Sequence, residues 1–63
     1  MNAIESIQLG LKSHKAREKS ARERAVDFTF RGDYWNAAIA LQEAAQHAAC
    51  IKELEFQLEA IEL

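Results

Sequence analysis

Proline is absent from this chain of 63 residues, and glycine occurs only at Gly10 and Gly32. Without proline the strongest helix breaker is missing, and two glycines leave little punctuation for a β-rich or loop-rich fold. A single cysteine, Cys50, rules out an internal disulfide and fits a reducing compartment. No apolar run approaches the roughly 18 residues of a membrane span, and the first residues lack a signal-peptide core. The expectation is a soluble protein of the cytoplasm that makes no membrane contact. No glycine-rich phosphate loop and no serine beside a positioned base appear, and the paired carboxylates Glu53–Glu55 and Glu59–Glu62 read as solvated helix surface. The chain is therefore expected to be non-enzymatic and to carry no cofactor.

What remains is helical pattern. Asn2 followed by Glu5 is a capping box, in which Asn2 accepts from an orphan backbone N–H and Glu5 reaches back to the N–H of Asn2. Positions 4, 7, 11, 14, 18, 21, 25 and 28 then follow alternate spacings of three and four. They read Ile4, Ile7, Leu11, His14, Glu18, Ala21, Ala25 and Phe28, a stripe apolar at both ends and polar in the middle. Gly32 can take the left-handed conformation that closes a helix, with Arg31 beside the last carbonyls, and Asp33 caps the next helix. The sequence predicts one domain: a helix over about 3–30, a turn at about 31–33 and a helix over about 34–61. Phe28, Phe30, Tyr34 and Trp35, four of the five aromatics, bracket the corner and are expected to knot it together.

The second helix carries two apolar stripes. The main one reads Leu41, Ala44, Ala48, Ile51, Leu54 (or Glu55), Leu58 and Ile61, and beside it lies Trp35, Ala38, Ala45, Ala49, Phe56, Ala60 and Leu63. One stripe suffices to dock on the first helix. Two imply more burial than a lone hairpin offers, and a chain this short buries only about 60% of the surface its unfolded form exposes. The predicted architecture is an all-α antiparallel hairpin that pairs with a second copy into a four-helix bundle. Ile7, Leu11, Phe28, Trp35, Leu41, Ile51, Leu54, Phe56 and Leu58 are the expected core and dimer-interface residues.

Net charge is −2, but its distribution is uneven. Residues 1–31 carry seven basic against four acidic side chains, a net of +3, and residues 32–63 carry one against six, a net of −5. Lys12, Lys15, Arg17, Lys19, Arg22 and Arg24 form a candidate partner-binding basic segment. In an antiparallel hairpin it faces the alanine-rich part of the second helix, so its charges are expected to stay unneutralised within the chain. A host or phage protein is the favoured partner, and RNA or DNA bound through residues 12–24 is the second reading. Opposing residue numbers that sum to about 64 would bring His14 near Cys50, with His47 one turn before it. That is an incomplete ligand set for zinc, and no metal is assigned.

Two resemblances add to this reading. Gly32-Asp33-Tyr34 with Ala37, Leu41 and Ala44 resembles the turn of a tetratricopeptide repeat over about fifteen residues, although the helices here are about twice as long and no second repeat follows. The whole chain, from Met-Asn-Ala-Ile-Glu-Ser-Ile-Gln-Leu-Gly through Arg-Gly-Asp-Tyr-Trp-Asn-Ala-Ala to Glu-Ala-Ile-Glu-Leu, resembles the small early proteins encoded in the exo–xis region of lambda-like bacteriophages. That resemblance implies a helical, dimeric early protein of lytic development, acting in the host cytoplasm, from a region associated with favouring lysis and disturbing the host cell cycle. It implies no catalytic motif and no functional residue.

Overall fold

In a computed structural model, which describes residues 1–62, two helices pack against each other as an antiparallel hairpin. Helix α1 spans Ala3–Phe30 and helix α2 spans Tyr34–Glu62. The rod they form measures 46 × 17 × 11 Å, a single layer of two helices.

The ends of the helices follow from their capping chemistry. Asn2 Oδ1 accepts from the Glu5 backbone N–H at 2.8 Å, as the capping box requires. The return contact differs from the sequence expectation: the Asn2 side-chain amide, not its backbone N–H, donates to Glu5 Oε1 at 3.5 Å. At the corner Gly32 has φ +76°, the conformation that only glycine adopts cheaply. This lets the Asp33 N–H bond to the Phe28 carbonyl at 2.9 Å and the Gly32 N–H to that of Thr29 at 3.0 Å, closing α1 in a Schellman motif. Arg31 pairs with Asp27 and lays its guanidinium over the Phe28 ring, 4.9 Å from the centroid. Asp33 then caps α2, accepting from the Asn36 backbone at 3.3 Å and from its side-chain amide at 2.7 Å.

The α1 stripe is the face that packs. Ile7, Leu11, Ala21 and Ala25 are buried, and Ile4, His14, Glu18 and Phe28 are half-buried. Against it α2 presents Ala37, Ala40 and Ala44, which are buried, followed by His47, Ile51, Leu54 and Leu58, which are half-buried. These positions continue the alternation of three and four, the seam along which antiparallel helices stay in contact. The interface is graded. Near the turn it is alanine on both sides, in the middle it is polar, and at the open end it is aliphatic. There Leu54 lies over Gly10, where an added Cβ would come within 3.2 Å of the Leu54 Cδ1.

Two expectations fail at the turn end. Leu41 is 52% exposed, because Ala37 and Ala40 take the inward positions where a short turn holds the two backbones close. Phe30 and Trp35 are 87% and 77% exposed, and Tyr34 is exposed with them, so no aromatic knot forms. Phe30 follows the inward Phe28 by two residues, and Trp35 precedes the inward Ala37 by two; at 3.6 residues per turn each is rotated by about 200° to the far side. Ile61 is likewise exposed, and Leu63 lies outside the described residues.

Two predictions follow from this packing and capping. Ala44→Leu forces a large side chain into the closest part of the interface and is expected to cost about 1–3 kcal/mol in thermal or denaturant unfolding, whereas Ala49→Leu on the exposed back of α2 should change stability by less than about 0.5 kcal/mol. Hydrogen bonds from the Asn36 side chain and backbone, with Arg31 nearby, hold the Asp33 carboxyl below its usual value of 3.8. A carboxyl with lowered proton affinity in the folded state stabilises the fold above that usual value and loses the contribution as pH falls through the lowered one. Melting followed below pH 4 should therefore show an acid-dependent loss in the parent chain that is reduced in Asp33→Asn.

Candidate functional site

One flank of the hairpin leaves Val26, Phe30, Tyr34, Leu41 and Phe56 exposed. Next to the turn Arg22, Ala25, Val26, Thr29, Phe30 and Leu41 line an open groove of about 410 Å³. Toward the open end a second open groove, about 560 Å³, lies between Leu11 and Lys15 on one side and Lys52, Glu55, Phe56, Leu58, Glu59 and Glu62 on the other. Tyr34 precedes Leu41 by two helical turns and shares its face. The exposed Ala38 and Ala45 and the half-buried Ala48 fill out the same stripe of α2 with small side chains. The flank is thus apolar at the turn end and acidic at the open end of α2.

The opposite flank is mixed, with the exposed Ile39 and Ile61 among polar side chains. Arg24 reaches across it to Glu43 at 2.8 Å, and Asn36, Cys50 and Gln57 follow along the same edge of α2. The Arg24–Glu43 pair corrects the expectation that the basic segment stays unneutralised inside the chain, and Arg22 is further paired along α1 with Glu18 at 3.7 Å. Of the basic segment, Lys12, Lys15, Lys19 and Arg22 are spaced by three and four and form one row of about 15 Å, of which Lys15 and Arg22 line the grooves and Lys12 lies beside Glu5 and Leu9. Arg17 and Arg24 are seven residues apart on the other flank.

Of the predicted core and interface residues, Ile7, Leu11, Phe28, Ile51, Leu54 and Leu58 lie between the two helices. Trp35, Leu41 and Phe56 do not. Leu41 and Phe56 line the groove, and Trp35 lies on the back of α2. Sequence reasoning missed Val26, which completes the apolar end of the groove. Its signal was present, because it precedes Phe30 by one helical turn.

Midway along the interface His14 and His47 meet, Nδ1 to Nδ1 at 2.8 Å. The ring centroids are 5.1 Å apart, the separation that results when the two nitrogens point straight at one another. One ring must donate and the other accept, so at least one is neutral. This displaces the expected approach of His14 to Cys50. The true register brings 14 opposite 47, and the Cys50 thiol is exposed on the flank opposite the grooves. Among the described residues no cluster of three or more His, Cys, Asp or Glu side chains could hold a metal ion, and no helix is long and apolar enough to cross a membrane.

A double-mutant cycle tests the histidine contact. His14→Leu alone leaves the half-buried His47 without its partner and should cost about 1–3 kcal/mol. Adding His47→Leu should recover most of that loss, giving a coupling of at least about 0.5 kcal/mol, and simple additivity would show that the rings do not pair.

The chain matches no protein-family model, no curated protein and no solved structure.

Proposed function

We propose that this chain is a small non-enzymatic regulatory protein of a phage early region that acts by protein–protein interaction during lytic development, and that two copies pair their hairpins into a four-helix bundle. The observation that carries the reading is the groove flank. Phe30 and Leu41 are exposed beside Val26 and Tyr34, while among the described residues the buried core amounts to seven, five of them alanine. An alanine methyl contributes only about 0.8 kcal/mol on burial, so this core is thin. Large contiguous apolar surface on a small protein marks an interaction site, and a second hairpin laid on the flank covers it.

The phage setting rests on the full-length sequence resemblance. With it come the bias toward lysis, the disturbance of the host cell cycle, action in the host cytoplasm, and a host or phage protein as the onward partner. Binding of RNA or DNA has weaker support: the six cations of residues 12–24 divide between two flanks, and two of them are paired with carboxylates.

Sedimentation equilibrium at micromolar concentration is expected to return a dimer. Phe30→Asp combined with Leu41→Asp should weaken self-association about 100-fold or more, roughly 2.8 kcal/mol, because charge is forced into the covered flank. A parent chain that sediments as a folded monomer would defeat the pairing.

A further inference from the structure

We propose that the two copies pair with both turns at the same end of the bundle, so that α1 of each copy lies on α2 of the other. The inference rests on the pairing proposed above and adds its orientation. Helices in four-helix bundles run within about 20° of parallel or antiparallel, which leaves two ways for identical hairpins to meet through one flank. In one, the two-fold axis runs along the rods and the turns are neighbours. In the other, the axis runs across them and each turn lies over the open end of the second copy.

Two independent features of the flank separate these arrangements. The first is charge. With the axis across the rods α1 lies on α1, and Lys12, Lys15, Lys19 and Arg22 meet the same four cations of the second copy in reversed order. Like charges set directly opposite across an interface oppose assembly. With the axis along the rods this row lies instead over α2 of the second copy. There Ala45 and Ala48 leave room for the aliphatic stems, and Lys52, near the level of Lys12, is the one cation. The second feature is where the apolar surface lies. Val26, Phe30, Tyr34 and Leu41 all sit at the turn end. Turns placed together bring these patches onto each other, whereas turns placed apart set them against an open end where Phe56 and Leu58 lie among Lys52, Glu55, Glu59 and Glu62.

The rod is 46 Å long, which makes the orientation measurable. Spin labels are placed on Trp35→Cys at the turn or on Ser6→Cys at the open end, each in a Cys50→Ala background; these positions lie off the groove flank. Helices are about 10–12 Å across, so turn-to-turn distances between copies should centre at roughly 20–30 Å. Mixed samples, with one copy labelled at each end, should give the longer distances. Arg31→Cys repeats the turn measurement with Trp35 intact. Turn-to-turn distances near 40 Å, with short distances in the mixed samples, would overturn the orientation while leaving the dimer standing. An absence of any distance between copies, together with monomer on sedimentation, would overturn the pairing itself.

Discussion

A layer of two helices has one inner surface, and how much it can hide depends on how closely the two backbones run. In this protein the turn sets that closeness. Residues Arg31, Gly32 and Asp33 reverse the chain with a left-handed glycine and a side-chain cap, and the helices leave the corner too near each other for large side chains. Ala21, Ala25, Ala37, Ala40 and Ala44 fill the resulting seam. Each is well buried but contributes little hydrophobic free energy, so the most closely packed part of the structure is also the part that stabilises it least per residue. The larger aliphatic side chains do their packing at the far end, where Ile7, Leu11, Ile51, Leu54 and Leu58 meet.

The same constraint accounts for what lies outside. Because alanine occupies the inward positions of α2 near the corner, the bulky residues there other than Phe28 lie at the surface. Phe30, Tyr34, Trp35 and Leu41 are exposed for the reason that Ala37 and Ala40 are not. The interface is also polar at its middle, where the histidine pair replaces an apolar contact. A hydrogen bond that joins two helices at one position holds their register, because a shift by a turn would leave both rings without a partner. The hairpin is therefore well specified in geometry and lightly stabilised in energy, which is the physical basis for reading its exposed flank as a surface to be covered.

Charge is segmental: basic side chains concentrate over residues 12–24 of α1 and acidic ones over residues 53–62 of α2. What the hairpin does is sort the cations by flank. Arg24 is drawn to Glu43 on the flank opposite the grooves, and four others are left in one row. That sorting turns a broadly basic segment into a feature with direction, able to discriminate between ways of docking.

The sequence by itself determined the helices, the corner and the packing stripe of α1. Capping side chains, a lone glycine at the right place and a three–four apolar repeat are local signals, and each is read within a few residues. It determined Ile51, Leu54 and Leu58 in the lower half of the α2 stripe as well, but not the exposure of the equally large Phe56 and Ile61. Only the tertiary structure decided the upper half. There Ala37, Ala38, Ala40, Ala44, Ala45, Ala48 and Ala49 offer several equivalent stripes, and which one turns inward depends on the approach of the other helix. The aromatics, Leu41 and the meeting of His14 with His47 rather than Cys50 were settled at that same step. A shift of three residues in register, or one position in helical phase, is invisible in a pattern built largely of methyl groups.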